Sequence, residues 1–544
     1  MSNSKKSTSL FFSGVLILTF SNILIKVVGL VLKIPLHDII GDEGMGYYNT
    51  AYEIYVWLYM ISTAGLPVAV SIMISESRAR GNFREAKRIF RIVLTLFLII
   101  GTAGMSVMLL FNRQFAAAYQ LNRANYCIMA IAPTLFFTCV SSSIRGYFQG
   151  YQNMLPTAVS QMIEAVCKLT LGVLMGRYAV SMGMENHVAA AYAITGVTIG
   201  VAAGMLFLCI SKLTFRATVY DAEYVLPAGE PIPEPRATKT LLRQLIVLSV
   251  PIMISSSVMS FTSMLDSMIV SDRLHSLGYV ESEIAAKLGN YKTLAVSLFN
   301  LPPALIYPIS YSIVPLLAAA NAKDGPERVR TIVQSSYKVA ALIALPCSLG
   351  LSVLSKPILC LLFDEASADR AAPLLSLLSL SIFFIGMLAI SNAVLQAHKK
   401  ERLPIVSMLV GSVVKLAVSF VLVGNRNVEM FGAPIGTFMC YFAIVMVDLY
   451  FVAKHVHYIP SVKHVLVLPL ISAVLCALAA GGFYYLLSLV LSGKIACILA
   501  ILGAGVVYMF AVFLLGAVDE QDIMLLPKGE KLARFLRRIK LLRA

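Results

Sequence analysis

The sequence predicts an all-α polytopic membrane protein of about 14 transmembrane helices: two parallel six-helix lobes followed by two C-terminal helices. Three observations carry that reading. Of 544 residues, 58% are hydrophobic and 13% charged, where soluble domains average roughly 45–50% and about 25%. Uninterrupted apolar runs such as 92–111 and 465–491 reach the roughly 20 residues a helix needs to cross the hydrocarbon. Polar sequence also recurs, weakly but in order, on either side of a single polar linker. The alternating ten-residue segments of a membrane β-barrel are absent.

The runs place spans near 10–36, 45–75, 92–112, 125–144, 156–176, 188–211, 244–271, 288–320, 339–355, 372–396, 404–424, 430–453, 465–491 and 495–517. The first follows Lys5 and Lys6 like a signal peptide, but it is too long, carries Lys26 and Lys33, and has no small-residue cleavage site. It is read as a retained span. The net charge of +16 would suit nucleic acid if it were clustered for phosphate contact. Its distribution says otherwise. With the N-terminus in the cytoplasm, 30 of the 44 Lys and Arg fall on cytoplasmic segments, nine lie outside, and five are in spans. That is the positive-inside pattern, and it places both termini in the cytoplasm. The basic tail 518–544 is then an anionic-lipid contact, with no nucleic-acid partner.

The one long polar interruption, 214–240 (LPAGEPIPEPRATKT within it), follows span six and reads as a cytoplasmic linker. Before it, Gln149 is followed by Pro156, Ser160 and Lys168-Leu169. After it, Gln396 is followed by Pro404, Ser407 and Lys415-Leu416. Both lysines stand 19 residues after the glutamine. SRARGNFREAKRI after span two likewise resembles ANAKDGPERVRTI after span eight. Six spans per half preserve orientation, so the repeats are parallel, related by an axis along the membrane normal. The expected organisation is an N-lobe (1–213), the linker (214–240), a C-lobe (241–458), spans thirteen and fourteen (459–517) and the tail (518–544).

Charges inside spans are the informative positions, since an isolated one costs about 2.5–3.5 kcal/mol on insertion scales. Asn22, Lys26, Gly29 and Lys33 recur at i, i+4, i+7 and i+11, on one helix face. Two cations on one face call for an anion, either substrate or protein. The plainer alternative has Lys33 snorkelling to the interface and Lys26 pairing with Glu53 or Asp266. Lys292, near the start of span eight, offers a third cation or an interface residue. Asp266 shares a face with Ser255, Met259, Thr262 and Ser263, a stripe suited to a cavity wall or an ion or proton site. Glu53, among Asn49, Tyr52, Tyr55 and Trp57, serves similarly. Glu164 and Lys168, at i, i+4 in the favourable order, read as a structural ion pair. Lys415 reads as a related structural cation, and Asp448 as an interface residue near the end of span twelve.

No catalytic set emerges. A Gly-rich loop ending in GK[ST] is missing, which argues against ATP-driven transport by this chain. The nine cysteines show no CxxC or His-paired metal spacing and read as packing residues. No metal and no cofactor is expected.

Several segments nonetheless look familiar. IRGYFQGYQNMLPTAVSQMIEAVCKL (Ile144–Leu169) resembles the span four–five connection of the stage V sporulation protein B group and of the MurJ-type lipid II flippases. GDEGMGYYNTAYEIY and TAGLPVAVSIMISESRARGNFREAKRI fit the same family around span two. The resemblance covers essentially the whole chain and is specific for the multidrug/oligosaccharidyl-lipid/polysaccharide exporter superfamily. It implies a V-shaped bundle that flips a lipid-linked sugar diphosphate by alternating access. In such flippases span-one arginines bind the diphosphate; the matching positions here are Lys26 and Lys33, with the family's span-eight cation near Lys292. Lysine keeps the charge but not the bidentate fork. The arginine pair that some members carry in span two is missing from Leu58–Thr63, which leaves undecaprenyl-linked glycans other than lipid II open. Spans thirteen and fourteen would hold the isoprenoid tail.

The expected function is therefore a flippase for an undecaprenyl-diphosphate saccharide of peptidoglycan or another envelope polymer, in a bacterial cytoplasmic membrane, in vegetative growth or sporulation. Its expected partners are the lipid-linked oligosaccharide, anionic lipids and envelope-synthesis proteins, with coupling to a cation or the membrane potential. The alternatives are a cation-coupled multidrug antiporter of the same superfamily and, more remotely, a membrane-embedded glycosyltransferase, for which the outer loops are short.

Overall fold

The computed structural model describes residues 2–215, 234–323, 325–456, 461 and 463–518, with side chains from Val28 onward apart from 319, 321–323, 326 and 464. Most of the linker, residues 519–544 of the basic tail, and the side chains of Asn22 and Lys26 therefore lie outside the described residues. All regular elements described are helical. Among the described residues 13 segments are long and apolar enough to cross a membrane. The first, Val28–Ala79, runs through a break at Gly41 and takes in the end of predicted span one (10–36) and all of span two (45–75).

The chain forms two compact units, 1–289 and 290–544. The first unit opens with α1 (Ser2–Thr63), interrupted where Gly41 takes φ +67°, a left-handed value that glycine adopts without steric cost. α2 (Leu66–Ala79) follows a bend at Gly65, with proline in its first turn, where a missing N–H costs nothing. Gly81, at φ +69°, turns the chain into α3 (Phe83–Leu110), which is capped by Asn82 accepting from the Glu85 N–H at 3.0 Å. A short α4 (Asn112–Ala118) leads to α5 (Asn125–Gly150), α6 (Leu155–Ser181) and α7 (Asn186–Thr214). Gly196, Gly200 and Gly204 recur every fourth residue on α7. A Cβ at these positions would lie 2.3 Å from the Gly172 nitrogen, 2.9 Å from the Glu164 carbonyl and 2.6 Å from Glu164 Cγ. Bare backbone there lets α6 and α7 pack at close range, as small-residue stripes do in membranes, and fixes where Glu164 and Lys168 point.

α8 (Thr238–Ser276), the first helix after the linker, packs against α1 and α2 within the first unit. A Cβ on Gly65 would stand 2.4 Å from the Ser249 carbonyl, and the sole tryptophan, Trp57, lies 5.2 Å from the Phe261 ring. At the entry to α8, Glu85 is clasped by Arg236 through Nε at 2.9 Å, Nη2 at 2.7 Å and the backbone N–H at 2.7 Å. α9 (Glu281–Asn290) crosses close to the start of the second span. A Cβ on Gly46 would fall 2.0 Å from the Ala285 carbonyl.

The second unit continues from α9 through a π-helical turn, Tyr291–Ala295, into α10 (Val296–Phe299) and α11 (Leu301–Lys323). Gly325 (φ +77°) opens α12 (Gly325–Val353); α13 (Ser355–Leu362), α14 (Glu365–Ser379), α15 (Ser381–Ala397), α16 (Leu403–Val423) and α17 (Gly432–Val456) follow. The order of the first unit recurs. A bent span, a left-handed glycine, a long helix, a short helix and a long helix lead to a left-handed turn residue and a Leu-Pro helix start. That turn residue is Gln152 at φ 57° in one half and Lys399 at φ 59° in the other, 247 positions apart, the same interval that separates Gln149 from Gln396. Repeat and packing divide the chain differently: α8 begins the second repeat but packs in the first unit. The last helices, α18 (Leu468–Ser488) and α19 (Gly493–Leu514), pair through Cys476, Ala480 and Ala504 around Leu354. Tyr508 ties α19 to α12 by donating to the Leu342 carbonyl at 2.5 Å.

Candidate functional site

α1 is helical on both sides of Gly41, so Asn22, Lys26 and Lys33 fall along one side of its first segment. Lys33 is half-buried in the first unit. Lys292 is half-buried in the second, on the π-helical turn, with Nζ 5.9 Å from the Tyr291 ring centre. Such turns are inserted residues, common at functional sites, and this one re-aims the helix at the predicted cation. Just past Lys33, His37 Nε2 and Asp42 Oδ1 meet at 2.7 Å across the Gly41 break.

The two carboxylates flagged in the sequence come together in the first unit. Ser263 donates to Glu53 Oε1 at 3.3 Å; Asp266, three residues along α8, is 2% exposed. Both carboxylates act on the fully buried Tyr119 hydroxyl, which lies just beyond α4. Nearby, Asn49 uses its amide on the Met45 carbonyl at 2.8 Å. Two acids beside a buried phenol make this the acidic cluster of the first unit.

The Glu164–Lys168 ion pair is corrected by the structure. Glu164 pairs with Arg145 of α5, whose Nε also donates to Ser160 at 3.2 Å. Lys168 sits over Tyr52, 4.6 Å from the ring centre and 3.5 Å from its hydroxyl, and acts on Glu164 only at longer range. The reason is reach. Arg145 enters from a neighbouring helix and offers a planar fork to the carboxylate, while Tyr52 belongs to a tyrosine ladder, Tyr48, Tyr52, Tyr55 and Tyr59, with successive rings 5.8–6.2 Å apart. Tyr55 completes this inner polar column at 2.9 Å from Thr138. The i, i+4 rule saw only one helix; the motif IRGYFQGYQ contained the missing cation. Asp448 is a second correction, since it is wholly buried and not an interface residue: α16 covers it.

Comparison with known proteins bears on this arrangement. A family model described as "Polysaccharide biosynthesis protein" matches residues 11–321, more than half of the chain, and one described as "MatE" matches 251–421. The chain is 25% identical to stage V sporulation protein B of Bacillus subtilis (strain 168) over 78% of its length and 80% of that protein. It is 21% identical to lipid II flippase MurJ of the same organism, covering 98% of this chain and 99% of that one. Among solved structures, lipid II flippase MurJ in an inward closed conformation superposes with a TM-score of 0.69 at 14% identity, over 92% of this chain and 98% of that one. An inward-facing multidrug resistance MATE family transporter of the MOP superfamily gives 0.60 at 15% identity, over 79% and 98%. At these identities the structural likeness establishes the fold.

Proposed function

The chain belongs to the polysaccharide biosynthesis protein family, and on that premise we propose that it is a flippase for an undecaprenyl-diphosphate-linked saccharide. Lipid II or a related envelope-polymer precursor is the substrate in this reading. The observation that carries it is the end-to-end relation to a lipid II flippase, 98% of one chain against 99% of the other, combined with lysines rather than acids along span one. A lipid diphosphate needs cations waiting in a wet space, because stripping water from phosphate unaided is prohibitive. Lys26 and Lys33 of the first unit and Lys292 of the second are each assigned as diphosphate contacts. The isoprenoid tail stays in lipid along α18 and α19, whose outward residues, such as Leu478 at 67% and Leu502 at 63% exposure, are apolar. Glu53 and Asp266 are assigned to cation or proton coupling.

A second reading, a cation-coupled multidrug antiporter, is favoured by one observation: the Glu53/Asp266 pair beside Tyr119, together with the MatE match. Depletion separates the two. When the protein is depleted in its own host, or when it is supplied to a strain lacking its lipid II flippase, outer-leaflet lipid II should fall or be restored respectively. Unchanged lipid II together with altered drug efflux would favour the antiporter.

A further inference from the structure

The second unit holds a carboxylate for which diphosphate transport has no use. Asp448 is 0% exposed. It lies about 8 Å along the helix from the middle of its span (429–456) at 1.5 Å per residue, inside a hydrocarbon core that extends about 15 Å from the midplane. Ser407 Oγ stands 2.5 Å from Asp448 Oδ1 and 3.0 Å from the Pro404 carbonyl, while Asp448 Oδ2 has no hydrogen-bond partner among the described residues.

A serine hydroxyl carries one proton. In the first unit Ser160, at the matching place of the repeat, donates that proton to the Thr157 carbonyl at 2.8 Å and accepts from Arg145 Nε at 3.2 Å. Ser407 makes the same bond to the carbonyl three residues back. The same hydroxyl also reaches Asp448 Oδ1 at the shorter distance of 2.5 Å, and its single proton cannot serve both the carbonyl and an ionised carboxylate. A proton on the carboxyl is what lets both contacts be hydrogen bonds at once. An ionised Asp448 would instead be an anion in hydrocarbon with one neutral donor and an empty second oxygen, the arrangement burial disfavours most strongly.

No cation relieves it. α15 carries no titratable side chain; α14 carries Glu365, Asp369 and Arg370; α16 opens after Arg402 and carries Lys415; the helix of Asp448 itself carries Cys440, Tyr441, Tyr450, Lys454 and His455. Among the described residues none forms an ion pair with Asp448, and its one hydrogen-bond partner is Ser407.

We propose that Asp448 is a proton-binding site of the second unit, loaded while α16 and α17 are packed and emptied when they part, so that proton exchange accompanies the transport cycle. On emptying, the Oδ–H bond breaks, its electron pair stays on the carboxylate, and the proton passes to entering water; reloading reverses the step.

Infrared spectra of the full chain in phosphatidylethanolamine/phosphatidylglycerol vesicles test this directly. The wild type should show a carbonyl stretch of a protonated carboxylic acid that is missing in Asp448→Asn, is shifted in Ser407→Ala and disappears as pH is raised. With lipid II as the transported probe, the wild-type rate should change by up to about tenfold per pH unit, the limit for one titrating proton, and the Asp448→Asn rate should be flat. A wild-type band identical to that of Asp448→Asn, a band that never titrates, or an Asp448→Asn variant with the wild-type pH profile would each overturn the proposal. If Asp448→Asn does not fold, Asp448→Glu and Ser407→Ala carry the titration. Should lipid II not move at all, the substrate reading fails while the infrared titration still decides Asp448.

Discussion

Replacing Arg145 by Met should destabilise the first unit far more than replacing Lys168 by Met, although both remove one cation near Glu164. The side chains of Arg145 and Glu164 are 10% and 21% exposed, so the pair is largely desolvated, and losing one partner of such a pair costs about 3–5 kcal/mol. Lys168 is held by Tyr52 at 4.6 Å, a cation–π contact worth about 2 kcal/mol when desolvated. Double-mutant cycles with Glu164→Gln isolate the pairwise term. Hydrogen bonds inside membranes average about 0.6 kcal/mol in such cycles, with a maximum near 1.7; a charged, multiply bonded pair should exceed that ceiling. The assay is reversible unfolding of the purified protein in mixed micelles, with each variant measured alone and combined. The expected coupling is about 2 kcal/mol or more for Arg145/Glu164 and well below that for Lys168/Glu164. Equal couplings, or a larger one for Lys168, would refute the assignment of Arg145 as the partner and restore the single-helix pairing.

Gly46→Ala places a methyl 2.0 Å from the Ala285 carbonyl and should cost about 1–3 kcal/mol by overpacking, read as a lowered midpoint in the same unfolding assay. Gly41→Ala meets nothing within 4 Å but must hold φ +67° with ψ −177°, a region essentially closed to residues other than glycine, so its cost of about 1–3 kcal/mol is backbone strain alone, and Gly41→Asn should recover none of it. Arg236→Ala strips the clasp from Glu85, whose side chain is 3% exposed. It should cost about 3 kcal/mol, the lower end of the range for a broken buried pair because Arg236 itself is 25% exposed. Limited proteolysis at the start of α8 should accelerate; unchanged cleavage would count against the clasp.

Most of the architecture was legible because hydropathy and charge asymmetry act on whole segments. A run of 20 apolar residues has no other stable home than a bilayer, and Gln149 and Gln396 marked a turn geometry that the structure repeats at Gln152 and Lys399. Contacts between helices were not legible. Nothing in the spacing of Glu164 and Lys168 reveals that Arg145 reaches in from α5, or that the four-residue rhythm of Gly196, Gly200 and Gly204 brings α7 onto α6 closely enough to aim Glu164 at it. Asp448 looked interfacial from its distance to the chain's polar end, because a sequence does not show which neighbouring helix covers a residue. The packing of α8 in the first unit likewise depends on Gly65 and Trp57 meeting it, contacts without a local signature. Glu53 and Asp266 stood out because carboxylates in apolar runs are rare, and the structure sets them around one tyrosine.

The central claim, that this chain moves a lipid-linked diphosphate by means of its own lysines, is tested most directly by transbilayer movement of lipid II in vesicles containing the purified protein. Wild type should carry lipid II across. Lys26→Ala should slow it by about 10- to 100-fold, the loss of one charge-assisted hydrogen bond of about 1.5–3 kcal/mol, and Lys26→Arg should restore it. Vesicles in which lipid II crosses no faster with the protein than without it, or equally fast with Lys26→Ala, would contradict the account.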